Sequence, residues 1–137
     1  MTLLAFYAAA VLLVVSWPSP IDRGQGPPIN GVLAVLHFLG APAWFDYEAL
    51  EFAANVVMFV PLALLIGLAL PSRFGWVPFV AGPLGSVAIE VAQFLFLPDR
   101  FGTPRDVLSN SIGAVLGGLL AIAVHRKLDA GRCPELD

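Results

Sequence analysis

The sequence predicts an all-α integral membrane protein: a helical bundle with about four transmembrane helices plus a short interfacial or re-entrant helix. Three observations carry that reading. Apolar residues make up 58% of the 137-residue chain and charged residues only 12%, about half the charged share of a soluble domain. The charges also cluster, leaving residues 1–21, 52–72 and 107–125 with none and residues 74–98 with Glu90 alone. Such gaps approach the roughly 20 apolar residues needed to cross the hydrocarbon core. Finally, a net charge of −3 and a single cysteine exclude a nucleic-acid binder and a disulfide scaffold, because they supply neither a basic patch nor an internal crosslink.

The bundle reads as one domain over residues 1–125, with a polar tail over 126–137 that carries Cys133 as a bystander thiol. The first segment, about residues 2–17, lacks a basic n-region and is followed by further apolar segments, so it reads as a retained span and not a cleaved signal. Trp17 suits the headgroup level, and Pro18 and Pro20 cannot continue the helix. Residues 22–31, DRGQGPPING, are turn formers throughout and read as a loop. The apolar run at about 32–39, bounded by Gly40, Ala41 and Pro42, is too short to cross and reads as the interfacial or re-entrant helix, with His37 as a polar tip at the headgroup level.

Asp46, Glu48 and Glu51 precede the second span and complement its N-terminal dipole, so they read as a solvated turn and not a second acidic site. That span, about 50–70, holds Pro61, which kinks a helix and frees a carbonyl. The third and fourth spans run about 76–97 and 106–124, joined by short links. Four crossings put both termini on one side. Arg73, Arg126, Lys127 and Arg132 share that side against Arg23, Arg100 and Arg105 on the other, which predicts a cytoplasmic C-terminus.

Function is legible where polar residues enter the apolar spans, because a charge at depth costs about 2.5 kcal/mol or more and seldom persists without a partner or a task. Glu90 and Gln93 lie one turn apart on the third span, with Ser86 on the same side. On the fourth, Asp106, Asn110, Gly113 and Gly117 form one stripe, and its glycines allow close helix approach. Asn55 enters the second span one turn inside its start. The start of span two, the end of span three and the start of span four share a membrane face. Asn55, Glu90, Gln93, Asp106 and Asn110 therefore converge on one extracytoplasmic pocket, with Arg100 and Arg105 on the loop that closes over it.

These residues resemble the pattern of the VanZ-like family of small bacterial membrane proteins: Asn55, Phe59 and Pro61, then Glu90 and Gln93, then Arg100, then Asp106, Asn110, Gly113 and Gly117. Pro18 to Gly24 is also similar to the family's first loop. The chain departs from many members in carrying Thr103 and Arg105 where they have acidic residues before the aspartate. The resemblance implies a cell-envelope role, in a family named for low-level resistance to teicoplanin, a lipoglycopeptide.

Several chemistries fit the residues. As a binding site, Arg100 grips phosphate or carboxylate while Asn55, Gln93 and Asn110 orient it, and Glu90 and Asp106 hold a divalent cation or keep Arg100 in place. The ligand would be a membrane lipid, a cell-wall precursor or a lipoglycopeptide. As a carboxylate-driven hydrolase or transferase, Glu90 acts as the acid and Asp106 stays ionised. Ser86, Ser109 and Ser111 have no histidine placed to activate them. A third reading is a scaffold subunit that docks another membrane protein through Gly113, Gly117 and Gly118. Against all three stands a buried polar network that only glues helices. Two carboxylates, an arginine and three amides at one depth exceed what glue needs. Phe94, Phe96 and Phe101 read as lipid-facing or packing residues.

Overall fold

The computed structural model describes residues 2–15, 26–96 and 103–131, and among them the chain forms helices and no strand. In order these are α1 (Thr2–Val15), α2 (Gly26–Phe38), α3 (Tyr47–Ala69), a 3-10 turn (Ser72–Phe74), α4 (Val77–Phe96) and α5 (Pro104–Ala130). Helices α3, α4 and α5 are long and apolar enough to cross a membrane. The 14 described residues of α1 rise about 21 Å, short of the ~30 Å core. The described residues thus hold three helices of spanning length where the sequence predicts about four. Trp17, Pro18 and Pro20 lie outside the described residues.

Helix α2 begins at Gly26, not at the apolar residues that follow. The turn formers Gly26, Pro27 and Pro28 fall in its first turn, where a missing N–H costs nothing and the proline φ already suits a helix. Its end is a Schellman motif. Gly40 takes φ 103°, its N–H donates to the His37 carbonyl at 3.1 Å, and Ala41 N–H donates to the Leu36 carbonyl at 2.9 Å. The His37 ring nitrogen Nε2 lies 2.9 Å from the Phe45 carbonyl, tying the exposed ring to the loop ahead of α3.

Asp46 caps α3 by accepting from Ala49 N–H at 3.0 Å. Thr103 caps α5, where Oγ1 accepts from Asp106 N–H at 3.2 Å and donates to Asp106 Oδ2 at 3.0 Å. Helix α5 runs on past the apolar residues to Ala130. Lys127 in the last turn suits this helix end, since a cation there complements the dipole.

The tightest packing joins α3 to α5, which run parallel. A Cβ on Gly113 would lie 2.5 Å from the Val56 carbonyl oxygen and 2.7 Å from Phe59 Cβ. One on Gly117 would strike the Val60 carbonyl oxygen and Ala63 Cβ, so no side chain fits between these backbones. Helix α4 packs antiparallel on the next face of α5, with Gly82 against Ala114 and Gly118 against Phe79 and Pro78. Gly113, Gly117 and Gly118 are all buried within the chain, so the glycine face proposed for docking a partner is already covered.

Helix α1 joins more loosely. Val11 and Val15 meet Phe59 in a small apolar cluster, and Tyr7 OH donates to the Met58 carbonyl at 3.0 Å. Large apolar side chains face outward around the bundle, including Phe6, Leu84, Phe94, Phe96 and Leu119, a pattern suited to acyl chains as solvent.

Candidate functional site

At one end of the bundle the end of α1, the start of α3, the end of α4 and the start of α5 enclose a cavity of about 110 Å³. Asn55, Glu90, Gln93, Asp106 and Asn110 all line it. Five of the six binding residues expected from the sequence are therefore brought together. The sixth, Arg100, lies outside the described residues.

Each polar group is held by its helix register. Asn55 Nδ2 donates to Asp106 Oδ1 at 3.0 Å, linking α3 to α5. With Thr103 on Oδ2, both Asp106 carboxylate oxygens accept a hydrogen bond. Gln93 Nε2 donates to the Val15 carbonyl at 2.7 Å, linking α4 to α1. Asn110 Nδ2 donates to Ser86 Oγ at 2.9 Å, linking α5 to α4. Ser86 is fully buried, Asn110 is 4% exposed and Gln93 is 7% exposed.

Asn110 Oδ1 is buried with no hydrogen-bond partner among the described residues. An orphaned acceptor costs about 1–3 kcal/mol, so a donor presented inside the cavity would recover that loss. This atom gives the site its clearest chemical demand.

Three expectations need correction. Glu51, read as part of a solvated turn and not of an acidic site, is exposed but also lines the cavity. It stands four residues before Asn55, one helical turn on the same face, which the sequence spacing already contained. Arg105, expected on a loop closing over the pocket, sits in the first turn of α5 and does not line the cavity. It pairs with Glu48, lies 5.8 Å from the Phe52 ring centroid, and so latches the starts of α3 and α5 from outside. Thr103, expected only to unbalance the loop charge, is the α5 cap.

The serines serve the backbone. Ser109 Oγ donates to the Asp106 carbonyl at 3.0 Å and Ser111 Oγ to the Val107 carbonyl at 2.6 Å. Among the described residues no three His, Cys, Asp or Glu side chains gather as a metal donor set. Asp106, with a hydrogen bond on each oxygen, anchors the start of α5 to α3 and to its own cap.

The polar cavity borders apolar space. Between α1 and α4 a groove of about 350 Å³ is lined by Leu12, Ala88, Ala92 and Phe96, together with Val15 and Gln93, which also line the polar cavity. A second apolar cavity of about 240 Å³ lies deeper, among Ala8, Leu62, Ala81 and Gly85. Ile89 borders all three spaces.

A family model described as VanZ/LLP1 matches residues 4–125. No curated protein and no solved structure matches the chain.

Proposed function

This chain belongs to the VanZ/LLP1 family of membrane proteins, and we propose that it binds an amphiphile of the cell envelope. The polar headgroup enters the cavity of Asn55, Glu90, Gln93, Asp106 and Asn110, and the apolar chain lies along the groove between α1 and α4. The observation that carries this reading is the shared wall: Val15, Ile89 and Gln93 border both a polar cavity and an apolar groove, which is the shape of a molecule with one polar end. At about 350 Å³ the groove falls within the common range for ligand sites. The headgroup presents at least one hydrogen-bond donor, to satisfy Asn110 Oδ1. Asp106, held by Asn55 and Thr103, supports binding over acid–base catalysis.

The test is mass spectrometry of lipids that copurify with the protein. Wild type should retain an amphiphile that Asn110→Leu and Glu90→Gln lose while still accumulating as folded protein. An unchanged lipid complement in both variants would sink the reading, and failure of both to accumulate would favour helix glue. A role in teicoplanin tolerance follows only if the amphiphile belongs to the pathway that the drug attacks. It is tested by susceptibility of a strain expressing wild type against one expressing Asn110→Leu.

The cavity opens to the extracytoplasmic side in this reading and the C-terminus is cytoplasmic, from the balance of Arg73, Arg126, Lys127 and Arg132 against Arg23, Arg100 and Arg105. Cys133, the one cysteine, is a native reporter. A membrane-impermeant maleimide should label it only after intact cells are permeabilised, and labelling beforehand would reverse the orientation.

A further inference from the structure

The opposite end of the bundle carries a second pocket, of about 310 Å³, built by the 3-10 turn and the last turns of α5. Gly75 sets the turn against α5: a Cβ there would lie 3.2 Å from the Ser72 carbonyl oxygen and 3.3 Å from Ile122 Cγ1. This close approach brings Arg73 from the turn and Arg126 from α5 into one wall, with Trp76 and His125 beside them. His125 Nε2 lies 3.2 Å from the Gly67 carbonyl, fixing the ring between α3 and α5. Among the described residues Asp129 is the one carboxylate in the wall. Among the described residues neither Arg73 nor Arg126 forms an ion pair, with Asp129 or with any other carboxylate. Arg73 instead rests over the Phe74 ring, 4.8 Å from its centroid. The ends of α3 and α5 present negative dipole ends here against the positive start of α4, so the positive field of the pocket comes from its arginine side chains.

We infer that this pocket binds the phosphodiester headgroup of an anionic membrane lipid, held between Arg73 and Arg126 with Trp76 at the level of the lipid interface. Guanidinium groups suit phosphate because their planar fork donates two parallel hydrogen bonds. Basic pockets between transmembrane helices suit anionic headgroups, and indoles settle at the headgroup level. Trp76 is 58% exposed, so its ring is open to lipid. The site lies at the far end of the bundle from the polar cavity and does not depend on what that cavity binds.

Quenching by brominated lipid reads this directly. In a Trp17→Phe, Trp44→Phe background, Trp76 is the sole remaining indole of the three. The full chain is reconstituted into vesicles containing brominated phosphatidylglycerol or brominated phosphatidylcholine. The anionic lipid should quench Trp76 preferentially, and Arg73→Gln and Arg126→Gln should each reduce that preference by about fivefold. Arg73→Lys should retain part of it. Both arginines are exposed, so the melting temperature of the variants should match wild type. Equal quenching by the two lipids in the parent, or a preference that survives loss of both arginines, overturns the inference. Inorganic phosphate added to phosphatidylcholine vesicles should leave Trp76 emission unchanged. A saturable response lost with the arginines would assign the pocket to a soluble phosphate instead.

Discussion

The α3–α5 contact and the α1–α4 contact are built on opposite principles within one small bundle. Along α3–α5, Gly113 and Gly117 remove side chains where Val56, Val60 and Ala63 approach, and the two backbones meet almost directly. Between α1 and α4 the residues Gly85, Ala88 and Ala92 of α4 are also small, yet they stand among the larger Leu12, Ile89 and Phe96, and cavities remain. Small residues therefore do two different jobs: on α5 they draw helices together, and on α4 they keep room open. Without a hydrophobic force between helices in lipid, close packing holds the first contact together with the Asn55–Asp106 hydrogen bond and the Arg105–Glu48 pair, whereas acyl chains are free to occupy the second. The polar cavity sits where the tight seam meets the open side.

The largest expected effect comes from breaking the seam. Gly117→Ala places a methyl group on the Val60 carbonyl oxygen and Ala63 Cβ, and neither backbone can yield locally. Overpacking of this kind costs about 3 kcal/mol. Thermal unfolding in micelles should show a large drop, and a variant as stable as wild type would mean that α3 and α5 are not in direct contact.

A smaller effect separates the cavity residues that hold the fold from those that face the ligand. Asp106 accepts from Asn55 and from the capping Thr103, so Asp106→Ala should lose about 1 kcal/mol with those hydrogen bonds. A double-mutant cycle with Asn55→Ala should give a coupling of about 0.6 kcal/mol, the usual value for hydrogen bonds between membrane helices. A cycle between Asn55 and Asn110, both in the cavity wall but bonded to different partners, should give a coupling near zero. Equal couplings in the two cycles would make the whole cavity a single structural network.

Much of this arrangement was legible in the sequence. The stripe Asp106, Asn110, Gly113, Gly117 and the pair Glu90, Gln93 declare their faces by helical spacing, and the parity of the spans brings those faces to one end. The partition of roles was not legible. Asn55 and Asp106 bond each other while Asn110 turns to Ser86, and that depends on the rotation of α5 between two neighbours, which spacing on one helix does not encode. The α2 start was masked because Gly-Pro-Pro serves equally as a loop and as the first turn of a helix. The capping pair Thr103 and Asp106 was there to be read as a capping box, but the apolar pattern of the span begins only after it.

The smallest effect is also the sharpest contrast with the seam. Gly85 lies in α4 beside the apolar cavity, and a Cβ built on it meets nothing within 4 Å. Gly85→Ala is thus the same chemical change as Gly117→Ala in an open site. It should stabilise the protein by up to about 1 kcal/mol through helix propensity. A chain that had closed α1 onto α4 would have no room for it, so a destabilised Gly85→Ala would show that the open side is shut in the membrane. Opposite signs for the two substitutions would establish that one face of the bundle is sealed by glycine and the other is held open by it.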